Sequence, residues 1–313
     1  MSDEGIRNAV MVAVTLGMPL LLTGEPGTGK THLAYRIAAE FTPDRDEPLV
    51  FETKSSSIAQ DLFYAFDTVG RFAFAQVGKY ENDSQRAAAL DPRRFIRYQA
   101  LGDAILRSRP FGDVAHWLPP NSKDRKPTRS VVLIDEIDKA PRDFPNDLLN
   151  EIAKFEFRVP EISDDRIKAA AELRPLVVIT SNSEKQLPDA FLRRCVYHHI
   201  AMPKGERLRK IVAQRTPKFA GVPMLSENAI LVRDAVAFFE DLREKCPQLD
   251  KKPSTAELLN WVEVMLASGA VSSESLKGTA STPIAERTLS TMLKSQGDFE
   301  TGRKHFESFI PPM

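Results

Sequence analysis

Eight residues near the start of the chain combine glycine, lysine and threonine at a spacing that suits phosphate binding. Gly24–Thr31 reads GEPGTGKT and fits the pattern G-x-x-x-x-G-K-[ST] in full. The glycines allow backbone N–H groups to turn towards phosphate oxygens, and a helix starting at the loop adds the positive end of its dipole. Lys30 suits the β- and γ-phosphates, and the Thr31 hydroxyl suits magnesium. The stretch predicts a nucleoside triphosphate site rather than a plain glycine turn.

Two carboxylates follow another apolar run and suit the metal and the water of phosphoryl transfer. Val131–Glu136 reads VVLIDE, which predicts a buried strand ending in two acids. Parallel sheets bind ligands at the carboxyl ends of their strands, so Asp135 is expected to hold Mg²⁺ together with Thr31. Glu136 is expected to orient or deprotonate the attacking water. Its presence favours a site that hydrolyses the nucleotide over the alternative, in which the two acids only cap a strand. The residues predicted to contact the nucleotide are Gly24, Glu25, Pro26, Gly27, Thr28, Gly29, Lys30, Thr31, His32 and Asp135.

A third polar group and a pair of arginines follow later in the chain. Leu176–Asn182 predicts a buried strand whose terminal Asn182 could bond the γ-phosphate or hold the water, although asparagine there also forms turns. Arg193 and Arg194 come eleven and twelve residues later. A guanidinium fork suits transition-state charge, and an arginine supplied by a neighbour accelerates phosphoryl transfer.

These residues need a scaffold of strands alternating with helices. Apolar runs that predict strands are Leu20–Thr23, Leu49–Thr53, Val131–Asp135, Leu176–Ser181 and Val196–Ile200. Helical spacing lies between them, as in Leu33, Ile37 and Phe41. Continuous apolar runs are typical of strands buried on both faces. The pattern predicts an α/β fold with a five-stranded parallel sheet and helices on both faces.

The pattern becomes wholly helical after Pro203. Helices are predicted over 204–216, 226–246 and 254–268, the second with Ser226 as its cap. We therefore expect a nucleotide-binding α/β domain over 1–203 and a small all-α lid domain over 204–270. Residues 271–313 are expected to form a C-terminal extension that is helical or partly disordered.

Composition limits the classes of protein that remain. The 313 residues carry 43 basic and 43 acidic side chains, and this balance disfavours a dominant electrostatic grip on nucleic acid or membrane. No apolar run is long enough to span a membrane, and Cys195 and Cys246 show no metal spacing. We expect a cytoplasmic protein in which both cysteines are packing residues. Arg109–Arg129, with four prolines, predicts a long exposed loop.

The order of these motifs resembles that of the AAA+ ATPases. The sequence is most similar to their MoxR-like branch, in LLLTGEPGTGKTHLA, DEIDKAPRDFPNDLLNEI and TSNSEKQLPDAFLRRCVYHHI. The resemblance covers roughly residues 5–270. It implies ATP bound with Mg²⁺ at the subunit interfaces of a ring, commonly hexameric.

The resemblance also implies roles for individual residues. Lys30 and Thr31 would hold phosphate and magnesium, Asp135 would be the metal-side acid and Glu136 the catalytic base. Asn182 would be the sensor, and Arg194 or Arg193 the finger acting on the ATP of a neighbouring subunit.

The resemblance includes inserts and one departure. The family's lid arginine has no counterpart in KKPSTAELLNWVEVML, where only Lys251 or Lys252 could substitute. The insert ahead of the magnesium-side strand is expected over Ser55–Arg109, and the hairpin before the sensor strand over Phe157–Ile162. Phe72 and Phe74, in the first insert, could contact a substrate pore, but phenylalanine is usually buried, so we predict core residues.

Three functions remain open from the sequence. The leading one is a ring-forming, MoxR-like chaperone or remodelling ATPase that acts on a protein client or on a separate von Willebrand A-domain partner. The alternatives are a DNA-acting motor or restriction-type translocase, and an assembly switch that binds ATP with little turnover.

Overall fold

The computed structural model describes residues 4–42, 47–78, 80–182, 187–216 and 225–312. Contacts divide the chain into two units, Met1–Gly24 with Gly29–Ile200 and Glu25–Thr28 with Ala201–Met313. The described strands are β1 (Leu20–Thr23), β2 (Leu49–Glu52), β3 (Tyr64–Phe66), β4 (Ile96–Tyr98), β5 (Val131–Asp135), β6 (Glu156–Val159), β7 (Ser163–Lys168), β8 (Leu176–Ser181) and β9 (Val196–His199). The domain boundaries expected at 203/204 and 270/271 stay predictions.

The first unit is built on a five-stranded parallel sheet of order β2-β5-β8-β1-β9, as predicted. Its strands are those expected from the apolar runs, with β2 and β9 each ending one residue earlier. Every crossover returns to the same end of the sheet, so all five strands point in one direction. Their carboxyl ends therefore meet at one edge, which we call the carboxyl edge, and their first residues lie at the opposite amino edge.

Helices cover both faces of this sheet. The described helices of the first unit are α1 (Glu4–Leu16), α2 (Lys30–Phe41), α3 (Thr68–Val77), α4 (Asp83–Ala89), α5 (Ala100–Arg107), α6 (Phe111–Val114), α7 (Phe144–Lys154) and α8 (Asp189–Leu192).

Residues alternate between the two faces along each strand. Val131 and Leu133 pack with residues of α1 and α2 in one hydrophobic core, whereas Val132 and Ile134 pack with α5 and α7 in another. The strands are thus buried on both sides, which explains why their sequences are continuously apolar.

An excursion between β3 and β4 carries α3 and α4, and here the prediction for two aromatic residues is wrong. Phe72 and Phe74 are 64% and 59% exposed rather than in the core, although Phe74 meets the edge of Phe95. None of the described residues of α3 is buried. The two helices are short and no further layer covers them, so the aromatic side chains stay at the surface.

The exposed loop predicted over Arg109–Arg129 is also partly wrong. α6 lies inside it, and Val114, Trp117 and Leu118 are buried in the core beneath the sheet. These three side chains are spaced by three and one residues, which suits a helical turn pressed on the fold. The remaining residues up to Arg129 contain neither helix nor strand. The hairpin expected near Phe157–Ile162 is present and larger, because β6 pairs with β7 as far as Lys168.

The second unit contains α9 (Gly205–Arg215), α10 (Ile230–Lys245), α11 (Thr255–Ala267), α12 (Ser281–Thr288) and α13 (Gln296–Ser308). Its core includes the fully buried Trp261 and Phe238 together with Leu289, from the 3-10 turn after α12, and Phe306, from α13. The C-terminal extension, residues 271–313, therefore contributes helices to this core. Across the described parts of both units, no helix is both long and apolar enough to cross a bilayer.

The cap predicted at the start of α10 is wrong. The helix begins at Ile230 with Ala229 as its N-cap, three residues after Ser226. The Ser226 hydroxyl instead accepts from the N–H of Asn228, and its carbonyl accepts from the N–H of Ala229. Ser226 therefore closes a turn that precedes the helix.

Candidate active site

The glycine-rich loop connects β1 to α2 at the carboxyl edge of the sheet. Gly24, Gly27 and Gly29 have φ values of 146°, 79° and 94°, in the region that side chains disfavour. This backbone leaves Gly29 as the N-cap of α2. The first N–H groups of a helix have no intrahelical partner, and glycine offers no side chain to cap them. They therefore form an anion site at the helix amino end.

Lys30 opens the helix and its side chain turns back over the loop. Its Nζ donates to the carbonyl oxygen of Gly24 at 2.8 Å, and the residue is 7% exposed. The contact holds the ammonium group beside the backbone that would surround phosphate oxygens. His32, the last residue predicted for this site, is exposed one position beyond Thr31.

Asp135, at the end of β5, is the centre of a hydrogen-bonded cluster. The Thr31 hydroxyl donates to its two carboxylate oxygens at 3.1 and 3.2 Å. The Thr180 hydroxyl, from the penultimate position of β8, donates to Oδ1 at 2.5 Å. The structure thus brings together the predicted metal-side pair, Thr31 and Asp135, which are 104 residues apart in sequence.

Glu136 follows directly and adopts a backbone conformation that is rare for a residue with a side chain. Its φ and ψ are 55° and 53°, a left-handed conformation that persists only where the surroundings hold it. Its N–H donates to the Thr180 hydroxyl at 2.8 Å. Its carboxylate pairs with Lys139, and this hydrogen bond raises the pKa of Lys139. Both side chains are well exposed, so the pair is easily exchanged for other partners.

Asn182 lies just beyond β8 and is tied to the same segment. Its N–H donates to Oδ1 of Asp138 at 3.0 Å, and its Nδ2 lies 3.5 Å from Oδ2. Asp138 belongs to the short helical turn that follows Glu136. The predicted sensor is therefore fastened to the loop that carries the predicted base.

Arg193 and Arg194 lie at the opposite edge of the sheet. They follow α8 and precede β9, whose first residue, Val196, pairs with Leu20 at the start of β1. The phosphate loop begins only after Thr23, a strand of four residues or about 13 Å further along. Both arginines are exposed, and none of the described residues pairs with either side chain. The structure does not bring them to the phosphate loop of their own chain.

The arginine that the resemblance implies for the lid has no counterpart in α11. Arg243, near the end of α10, forms an ion pair with Glu25 and donates to the carbonyl oxygen of Pro253. Glu25 and Arg243 belong to the same contact-defined unit. Lys251 and Lys252 are both exposed.

Three residues of the cluster were missed in the sequence, namely Thr180, Asp138 and Lys139. Thr180 had a signal, because a hydroxyl that follows an apolar run in a buried strand must find a partner. Thr180 is fully buried, which makes that requirement strict. Asp138 and Lys139 had none beyond their closeness to Glu136.

The donor set at the carboxyl edge fits magnesium. Mg²⁺ prefers oxygen ligands and keeps several waters, so that one carboxylate, one hydroxyl and substrate phosphates suffice. Thr31 and Asp135 supply the carboxylate and the hydroxyl. Within the described residues, no group of three or more His, Cys, Asp or Glu side chains is placed to hold a metal.

Comparison with known proteins gives a family match and distant structural likenesses. The family model described as "ATPase family associated with various cellular activities (AAA)" matches residues 20–204. A katanin structure on self-assembly matches with a TM-score of 0.44 and 13% identity, over 98% of this chain and 88% of katanin. A mutant RuvB of Thermotoga maritima matches with a TM-score of 0.41 and 15% identity, over 86% of this chain and 70% of RuvB. A search of curated proteins found no match.

The parallel sheet, the phosphate loop and the acidic strand end define a P-loop nucleoside triphosphatase. The family match covers more than half of the chain, from β1 to the residue before α9. The chain belongs to the AAA family of ATPases and is an ATP-hydrolysing P-loop enzyme.

Proposed function

We propose that this protein is a magnesium-dependent ATPase that assembles into a ring. In this ring, an arginine of the next subunit completes each ATP site. The observation that carries the proposal is the position of Arg193 and Arg194. They are exposed, unpaired among the described residues, and lie at the amino edge, away from their own phosphate loop. An arginine placed in this way can serve a nucleotide only on another copy.

Within one subunit, each residue of the carboxyl edge has a separate task. Lys30 and the N–H groups at the start of α2 bind the phosphates. Thr31 and Asp135 hold Mg²⁺, which neutralises charge on the phosphate oxygens when bound. Glu136 accepts a proton from the attacking water and Asn182 orients that water, which requires Glu136 to leave Lys139.

The charges around residues 93–109 favour a protein client over nucleic acid. Three of the arginines that could form a basic patch are neutralised locally: Arg93 by Asp91 at 2.6 Å, Arg107 by Asp103 at 2.8 Å, and Arg109 by Asp113 at 2.9 Å. Paired guanidinium groups release few counterions from DNA. We therefore favour the MoxR-like role, remodelling a protein client or a separate von Willebrand A-domain partner.

Mixing two inactive variants tests the shared site. Lys30→Ala loses its own nucleotide site but keeps its arginines, whereas Arg194→Ala keeps its site but loses the finger. In a mixed ring, an Arg194→Ala subunit can receive the arginine of a Lys30→Ala neighbour. We expect each variant alone to be inactive and the mixture to regain part of the wild-type turnover.

The matched control is a mixture of Lys30→Ala with Glu136→Gln, in which no subunit has a complete hydrolytic site. This control should stay inactive at every ratio. If the first mixture also stays inactive while co-purification of a tagged with an untagged variant shows mixed rings, the arginine acts within its own chain and the proposed ring site is wrong. Arg193→Ala in place of Arg194→Ala decides which arginine is the finger.

A further inference from the structure

The Thr180 hydroxyl contacts both acids of the cluster, Asp135 through its side chain and Glu136 through its backbone. It lies on β8, the central strand, between β5, which carries the acids, and β1, which leads to the phosphate loop. The β5–β8 register pairs Ile134 with Ile179, so the next residues, Asp135 and Thr180, lie side by side. Neighbours at one register position project to the same face, which is the face covered by α2.

The hydrogen bonds of Thr180 use its hydroxyl in both directions. The hydroxyl donates to Oδ1 of Asp135 at 2.5 Å and accepts from the N–H of Glu136 at 2.8 Å. A hydroxyl has one proton to donate and lone pairs to accept, so the two bonds are compatible. Thr180 is fully buried, so its hydroxyl is shielded from bulk solvent.

Both bonds constrain atoms that matter for the reaction. Thr180 donates to Oδ1 of Asp135, the carboxylate whose two oxygens lie 3.1 and 3.2 Å from the hydroxyl of Thr31, the other metal-side residue. The bond from Glu136 holds the left-handed backbone from which its carboxylate extends. We infer that Thr180 is a positioning residue that sets the metal-side acid and the catalytic base at the same time. The inference rests on the roles proposed above for Asp135 and Glu136.

The position of Thr180 predicts a defined kinetic defect. Without the hydroxyl, Asp135 loses its shortest hydrogen bond and the N–H of Glu136 loses its acceptor. Loss of an outer-shell partner of a metal ligand typically lowers metal affinity or activity by about 10–100-fold. Neither bond involves Lys30 or the loop backbone, so nucleotide binding without metal should be unaffected.

The test compares Thr180→Val and Thr180→Ala with Thr180→Ser and the wild type. For the two variants without a hydroxyl we expect kcat to fall about 10–100-fold. The Mg²⁺ concentration needed for half-maximal binding of a fluorescent ATP analogue should rise, while binding in EDTA stays at the wild-type level. Thr180→Ser restores the hydroxyl and should recover most of both properties.

Thr42→Val is the matched control. Thr42 is also buried and its hydroxyl donates to a carbonyl at 2.5 Å, but it lies at the far end of the twelve-residue α2, about 18 Å from Lys30. Its removal should leave the magnesium dependence unchanged. Thermal unfolding of each variant shows whether its fold is intact.

Three outcomes would overturn the inference: wild-type kcat and magnesium dependence in a folded Thr180→Val, no recovery in Thr180→Ser, or failure of both hydroxyl-free variants to fold. Failure of the proposed function itself would be recognised by other measurements. In that case Glu136→Gln would hydrolyse ATP like the wild type, or the wild type would show no magnesium-dependent binding, whatever Thr180 does.

Discussion

The two edges of the five-stranded sheet differ in how far their polar side chains are satisfied within one chain. At the carboxyl edge, Thr31, Asp135 and Thr180 are joined by hydrogen bonds of 2.5–3.2 Å. At the amino edge, Arg193 and Arg194 extend into solvent with no described partner. The polar groups of the first edge are held by contacts within the chain, whereas the two arginines of the second edge are exposed to solvent.

With the roles proposed above, this difference corresponds to two kinds of contribution to catalysis. Preorganised groups are effective because they need not be rearranged when charge develops in the transition state. An exposed arginine gains its effect only when a neighbouring surface holds it and excludes water. Variants at the two edges should therefore fail in different ways.

The largest expected effect is at the amino edge. Replacing the arginine that we propose as the finger should lower kcat by about 10³-fold or more, because an arginine supplied in trans stabilises the transferred phosphoryl group. Arg194→Ala and Arg193→Ala should differ, since only one of two adjacent side chains can point at a given phosphate. Steady-state ATPase rates, with ATP affinity measured alongside, check the difference. Equal and modest losses from both variants would remove the distinction between the edges.

Glu136→Gln should lower kcat by about 10²–10⁴-fold, because the amide cannot accept a proton from water. ATP binding should be retained, since the amide keeps the size of the side chain and removes a negative charge near the phosphates. Rate and affinity measured on the same preparation check this. An assembly switch with little turnover would show the same slow rate in the wild type and the variant.

Asn182→Ala should have a smaller effect, a decrease in kcat of about 10–100-fold with little change in KM. The physical reason is that the attacking water would no longer be held in the correct orientation. The backbone N–H of residue 182 keeps its bond to Asp138, so the fold of the segment should persist. Asp138→Asn is the companion variant, because it retains the side-chain shape but weakens that bond. A rise in KM alone for Asn182→Ala would assign it to binding instead.

The smallest expected effect concerns the reactivity of the Cys195 thiol, which follows Arg194 in the sequence. Burial raises the pKa of Cys195 to about 12, so its reactive thiolate is scarce at pH 8. Alkylation by iodoacetamide should be slow in the folded protein and fast in denaturant, as mass spectrometry of digested samples can show. Because the folded pKa lies above the unfolded value, stability should decline as pH rises through the thiol's ordinary range near 9. Rapid labelling of the native protein would mean that the amino edge opens.

The features that could be predicted from the sequence are those that depend on local requirements, such as burial of a strand or the backbone conformation of a loop. The five strands were predicted because burial on both faces requires unbroken apolar runs, and the phosphate loop because its backbone requires glycine. The partners of Thr180 could not be predicted, because they depend on which strands are neighbours and in what register. Phe72 and Phe74 were misjudged since their type favours burial, while the fold provides no layer over α3.

The residues after α11 have a consequence for how the protein can be shortened. Phe306 and Leu289 are fully buried in the core of the second unit. Asp298, also buried, accepts hydrogen bonds from the N–H groups of Asp250 and Lys251, and so fixes the chain that leads into α11. A recombinant fragment that ended near residue 270 would open this core to water and release that connection. Expression trials and crystallisation of smaller forms therefore have to retain the chain through Phe309.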